Sequence, residues 1–303
     1  MSPSLRRRRS PATAGDDRAS STSEPAATGP ATAPASSPAA SANATLTEAA
    51  PASAAPAARR RTLARSGPFP LLRAAHPRLG VLVAAGMAVA AVLSGRSGRE
   101  VLLVLATVLV GQAVLGWHND LVDRDADATA AEAGERTRPV RKPLAAGDLD
   151  PGTAWFALIC GVLLLVPMSI QNGVTAGAFY LGSVAVGVIG NVVLRGGWFS
   201  WVPWAVAWAL YPSFLSYGGW GGRTVGSAPQ PLMVVLAALL GVGVHVLTSL
   251  PGLVADHEHG RRHLPLRLAL RTGATRLLVV AVAWSVVMVA GLLLVGHTAG
   301  LSR

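Results

Sequence analysis

Seven apolar stretches punctuate the chain after residue 66, at 79–95, 100–118, 153–170, 174–194, 198–217, 231–251 and 276–297. Each approaches the roughly 20 residues that a helix needs to cross the hydrocarbon of a bilayer. The apolar residues run continuously instead of alternating with polar ones. In lipid only helices and closed barrels satisfy their own backbone groups, and continuous runs select helices. The pattern predicts an all-α integral membrane protein with about seven transmembrane helices. Residues 1–66 contain no such run. Their Ala, Ser, Pro and Thr residues offer too little apolar surface to offset chain entropy. They are expected to form a disordered tail, with residues 67–303 as the transmembrane domain.

Composition supports this division. The chain of 303 residues is 51% hydrophobic and 14% charged, with a mean hydropathy of +0.45; a soluble domain carries roughly a quarter charged residues. Cys160, the single cysteine, lies within an apolar run, so no intrachain disulfide forms, which fits a reducing or membrane-embedded setting. Much of the net charge of +11 sits in the tail, at Arg6–Arg9, Arg18, Arg59, Arg60, Arg61 and Arg65. No aromatics are interleaved there, so membrane lipid, not nucleic acid, is the expected partner of these charges. No apolar stretch follows Arg6–Arg9 within reach of a signal peptide, so a secretory or twin-arginine signal is not expected.

Basic residues in the loops set the orientation. With the tail inside, the inner loops carry Arg124, Arg136, Arg138, Arg141, Lys142, Arg195, Arg261, Arg262, Arg267 and Arg271. The outer loops carry Arg96, Arg99 and Arg223, and Arg303 ends the chain. Trp117, Trp155, Trp198 and Trp201 fall near the inner interface as an aromatic belt. Localisation is therefore expected at the cell membrane, multi-pass, with loops 119–152 and 252–275 both cytoplasmic.

The first of these loops opens with WHNDLVDRDAD, Trp117–Asp127. If the preceding helix continues, Asn119, Asp123 and Asp127 share one face, Asp120 flanks it, and Asp125 points elsewhere. Converging carboxylates repel one another unless a cation neutralises them, and hard oxygen ligands suit Mg²⁺ completed by substrate phosphate oxygens. An EF-hand starting at Asp123 fails, because its glycine and glutamate positions hold Ala128 and Gly134. A merely solvated acidic loop does not account for acids that begin at the membrane boundary on one face. Arg138, Arg141 and Lys142 follow, placed either to contact phosphates or simply as inner-loop positive charge. In the second loop His245, Ser249, Gly252 and Asp256 step by four, three and four along one face. His245 lies deep in a membrane segment, where a histidine is either functional or bonded to a backbone carbonyl. His257, His259 and His263 lack the further Cys or His set that a zinc site needs.

Together these loops resemble the UbiA family of membrane prenyltransferases. The family's Asn-Asp-x-x-Asp-x-x-x-Asp signature looks complete at Asn119, Asp120, Asp123 and Asp127. Its basic Arg-Pro-Leu-x-x-Gly element resembles Lys142–Gly147, and its Asn-x-x-Leu-Lys element resembles Asn191–Arg195. Its second acidic motif and the Leu-Pro after it look like Gly252, Asp256, Gly260, Leu264 and Pro265. The resemblance covers residues 70–297.

It implies a helical fold with a lateral, lipid-accessible cavity and Mg²⁺-dependent transfer of a prenyl group from a prenyl diphosphate to an aromatic or other lipophilic acceptor. The implied catalytic residues are Asn119, Asp120, Asp123, Asp127 and Asp256, with Asp123, Asp127 and Asp256 as metal ligands. Arg141, Lys142, Asn191, Arg195 and His245 would bind substrate. Trp204 and Trp208 share a face with Trp201 and offer aromatic surfaces to an allylic cation, while Trp201 suits an interfacial anchor.

Two departures stand out. Gly252 replaces the first acid of the second motif, and the bundle resembles a C-terminally shortened version of the family's usual nine helices. That shortening would leave part of the cavity wall to lipid or to a second copy in a homo-oligomer. The alternatives are phosphoribosyl transfer to a polyprenyl phosphate, an inactive member acting as a membrane interaction protein, and a small transporter. Acids gathered at one interface, not at the midplane, speak against the transporter.

Overall fold

The computed structural model describes residues 67–132, 142–219 and 226–301. The expected tail and the substrate-binding position Arg141 lie outside them. The described residues form eleven α-helices. In chain order they are α1 (Pro68–Ala74), α2 (Pro77–Leu93), α3 (Gly98–Glu132), α4 (Pro151–Gln171), α5 (Val174–Val192) and α6 (Val202–Ala209). They continue with α7 (Tyr211–Ser216), α8 (Pro231–Ser249), α9 (Leu253–Glu258), α10 (Leu264–Thr272) and α11 (Ala274–Ala299). Proline stands in the first turn of α1, α2, α4, α6, α7, α8 and α10, where its missing N–H has no helical partner to lose. Asp150 caps α4 by accepting the Thr153 N–H at 3.0 Å.

Among the described residues five helical spans are long and apolar enough to cross a membrane, and α1 with α2, bent by 66°, makes a sixth if the pair is one span. The stretch 198–217, expected as one transmembrane helix, is instead a 3₁₀ turn at Trp198–Trp201 followed by α6 and α7. Pro203 and Pro212 open those two helices; a proline ring clashes with the carbonyl four residues back and donates no hydrogen bond, so the segment breaks. At 35 residues α3 is roughly 50 Å long, well beyond the roughly 30 Å of hydrocarbon. The excess is long enough to hold the acidic stripe beyond a membrane-length segment.

The largest core cluster includes Val104, Val108, Leu165, Tyr180 and Phe214, with the Tyr180 and Phe214 rings 4.8 Å apart. Beneath it Asn172 donates to the Thr107 hydroxyl at 3.0 Å, tying α4 to α3. Many large side chains on α11, including Val279, Val286 and Leu294, are bare, as lipid-facing residues should be.

The break between α1 and α2 matters most for the site. Gly116 lets α3 approach it so closely that a Cβ there would lie 2.6 Å from the Ala75 carbonyl carbon. Trp117 Nε1 donates to the Leu71 carbonyl at 2.9 Å. Ala74, Leu144, Leu149 and Ala154 bury together, with Trp117 and Leu121 packed against them, so the turn after Lys142 is pinned to α1, α3 and α4. Gly116→Leu is expected to cost about 1–3 kcal/mol through overpacking. Gly86→Leu, at a position where a Cβ meets nothing within 4 Å, is expected to be near neutral. Thermal melts of the detergent-solubilised variants check this: equal melts for the two would refute the close-approach account.

Candidate functional site

The acidic stripe is continuous with the helix that precedes it. Asp120, Asp123 and Asp127 of α3 are only 1%, 2% and 4% exposed, whereas Asp125 points outward and pairs with Arg124 at 2.9 Å. Three buried carboxylates cannot persist without compensation. Lys142 answers all three: its Nζ lies 2.8 Å from Asp123, 3.0 Å from Asp127 and 3.3 Å from Asp120. Arg195, in the turn after α5, pairs with Asp123. Burial pushes its guanidinium down to about 10, helped by the Arg261 charge and opposed by Asp256 and Asp120, so it stays protonated at neutral pH.

His76, at the break between α1 and α2, supplies a third partner that local spacing does not reveal. Its Nε2 lies 2.9 Å from Asp120 Oδ1. It is the one non-glycine residue with positive φ (50°) among the described residues, a strained conformation held by its surroundings.

The second loop comes to the same end of the molecule. Asp256 on α9 accepts from Arg261 Nη1 at 3.0 Å through Oδ1 and from His263 Nε2 at 2.8 Å through Oδ2. His263 Nδ1 accepts the Leu266 N–H and caps α10, so Nε2 carries the ring proton and donates to Asp256. His245 Nε2 lies 3.1 Å from Ser200 Oγ, and its ring sits 5.5 Å from that of Trp204. Ser200 also accepts the Leu264 N–H at 3.4 Å, which ties the 3₁₀ turn to the second loop.

One cavity of about 360 Å³ is lined by His76, Arg195, His245, Asp256, Arg261 and His263; the buried Asp120, Asp123 and Asp127 and their partner Lys142 lie behind its wall and do not line it. Asn119, Asn191, Arg195, Asp256 and Arg261 line its charged end. Back along α2 and α3 the lining changes to Leu79, Val83 and Leu115, faced by Trp204, Trp208 and Tyr211. His245 and Ser249 also line it, but Trp201 does not. The structure thus brings Asn119, Asn191, Arg195, His245 and Asp256 onto one cavity, with Asp120 and Asp123 tied to it through His76 and Arg195. Sequence spacing missed His76, Ser200, Arg261 and His263 as partners, because each acts across a turn or between helices.

The first motif fits a hard divalent cation. Its carboxylates converge on one positive point, now the Lys142 ammonium, and the buried Asp120 Oδ2 has no hydrogen-bond partner. No cluster of three His, Cys, Asp or Glu among the described residues cages an ion unaided. Mg²⁺ takes one or two carboxylates and completes its shell with water and phosphate oxygens.

Cysteines introduced at Asp125 and His257 in a Cys160→Ala background are expected to react with an impermeant maleimide from the same side of sealed vesicles. Labelling from opposite sides would break the single-site geometry.

Comparison with known proteins agrees with this architecture. The UbiA prenyltransferase family matches residues 79–302. A solved UbiA homolog from Archaeoglobus fulgidus, bound to GPP and Mg²⁺, superposes with a TM-score of 0.54 at 18% identity, covering 73% of this chain and 76% of that one. The Cd²⁺-bound structure of a UbiA homolog from the same organism gives 0.51 at 15% identity, covering 77% and 91%. The apo UbiA homolog from Aeropyrum pernix K1 gives 0.54 at 18% identity, covering 75% and 82%. At these identities the likeness shows the fold. No curated protein sequence matches the chain.

Proposed function

The chain belongs to the UbiA prenyltransferase family, and on that premise we propose that it transfers a prenyl group from a prenyl diphosphate to an aromatic or other lipophilic acceptor at the cytoplasmic membrane face. The observation that carries this reading is the cavity itself, charged at one end and aromatic at the other. A prenyl diphosphate has the same polarity: an anionic head, an allylic carbon, then an apolar tail.

In this reading Asp123 and Asp127 would hold Mg²⁺. The chemistry such an ion would supply is neutralisation of the diphosphate oxygens, which would make the diphosphate a better leaving group. Lys142 and Arg195, which now neutralise the carboxylates, would supply positive charge to the phosphate oxygens and stabilise them as the C–O bond breaks. Asn119 and Asn191 line the same end, where their amides donate to phosphate oxygens. Trp204 and Trp208 present ring faces to the allylic cation, and the apolar lining excludes the water that would quench it. His245, fixed by Ser200 and Trp204, faces the cavity where the polar group of an acceptor would lie.

Asp123→Asn and Asp127→Asn are each expected to abolish Mg²⁺-dependent binding of geranyl diphosphate by purified protein, while Asp125→Asn retains it. Equal losses for the three variants would show that the buried face is not what matters.

Gly252 offers a second test. Its backbone (φ −97°, ψ −3°) suits any residue, and a Cβ there would meet only Asp256 Oδ2, at 3.5 Å. Gly252→Asp is therefore expected to lower the Mg²⁺ concentration needed for diphosphate binding, and Gly252→Ala to leave it unchanged. Equal impairment by Asp and Ala would make this a structural glycine.

A further inference from the structure

We propose that the second acidic loop grips the diphosphate directly through the Arg261 guanidinium and does not hold a divalent cation of its own. The proposal rests on the prenyl-transfer reading and departs from the expectation that Asp256 is a metal ligand.

Three observations carry it. First, the loop presents a single carboxylate to the cavity: Asp256 lines it, whereas position 252 has no side chain and Glu258 is exposed. Second, both Asp256 oxygens are engaged, Oδ1 by Arg261 at 3.0 Å and Oδ2 by the proton of His263 Nε2 at 2.8 Å. Mg²⁺ demands near-octahedral oxygen donors and gives up its waters reluctantly. Asp123 is also fully paired, but by two long, flexible side chains, whereas His263 is fixed by its cap on α10. A lone carboxylate held by such a fixed N–H donor is a poor ligand for Mg²⁺. Third, Arg261 lines the charged end of the cavity together with Arg195. Two guanidinium groups beside one cavity repel each other, and an anion with several oxygens between them relieves that repulsion. A guanidinium also presents a planar fork of N–H donors that matches phosphate geometry.

Asp256 then becomes a positioning residue: it aims Arg261, and His263, locked by capping α10, aims Asp256. The extra positive charge of the loop takes the place of the cation that a second acid would have recruited.

The test counts bound Mn²⁺ by electron paramagnetic resonance and measures affinity for the unreactive S-thiolo analogue of geranyl diphosphate at saturating Mg²⁺, using the full chain in lipid nanodiscs. Asp256→Asn is expected to leave the number of Mn²⁺ ions per chain unchanged. Arg261→Gln is expected to weaken the analogue about tenfold to a hundredfold, the value of a charge-assisted contact. Arg261→Lys, which keeps the charge but not the fork and guards against a folding defect in Gln, is expected to fall between it and the wild type. Arg262→Gln, an exposed neighbour of equal charge, is expected to stay within about twofold of the wild type. Loss of one Mn²⁺ in Asp256→Asn would overturn the proposal, as would equal affinities for Arg261→Gln and Arg262→Gln. Failure of the wild type to bind the analogue at all would instead overturn the prenyl-transfer reading on which the proposal stands.

Discussion

The structure depends on neutralising three carboxylates buried on one face of α3. In a low-dielectric setting each uncompensated charge would cost several kcal/mol, and mutual repulsion adds to that. Their partners come from far along the chain: His76 from the break before α2, Lys142 from the turn after α3, Arg195 from the turn after α5. Each partner fixes where its own segment can sit. The close approach of α3 to Ala75 at Gly116, the buried cluster under the Lys142 turn, and the strained backbone of His76 all serve one charge-balancing problem.

The same arrangement shows which features are legible in a sequence. The acidic face was legible because helix geometry is local. Once α3 continues beyond the membrane, spacings of three and four bring Asp120, Asp123 and Asp127 together and turn Asp125 away. Spanning helices were legible from continuous apolarity, and the broken stretch at 198–217 was misread because its apolarity hid the effect of Pro203 and Pro212. Partners were another matter. His76 lies 44 residues from Asp120, and Arg195 lies 72 from Asp123. No periodicity reports such distances. Even the nearby Arg261 and His263, read as an inner-loop charge and as part of a rejected zinc set, were not paired with Asp256, since that contact depends on the turn between α9 and α10 and not on a helical register.

The cavity gains its directionality from the same topology. Charge accumulates where α3, α5 and α9 end or begin, because loops outside the hydrocarbon can carry it at little cost. Toward the bilayer interior only apolar and aromatic side chains are tolerated without partners, so Trp204, Trp208 and Tyr211 face Val83 and Leu115. An amphiphile with an anionic head therefore has one favourable orientation. The broken segment contributes here as well: α6 packs on α8, with the Trp204 carbonyl and Trp208 side chain so near Gly241 that a Cβ there would lie 2.5–2.8 Å from them.

Internal neutralisation also shapes how ligands bind. A divalent cation entering between Asp123 and Asp127 meets a Lys142 ammonium already placed there, with the Arg195 guanidinium on Asp123. Metal without an anion would press three positive groups onto the same carboxylates. Diphosphate without metal would face the carboxylates themselves. On the proposed reading each ligand alone would be opposed and together they would cancel, with the metal on the carboxylates and Lys142 and Arg195 on the phosphate oxygens. Cation and diphosphate would then reinforce each other's binding on electrostatic grounds. The second loop would add the Arg261 charge, held by Asp256, to the same balance.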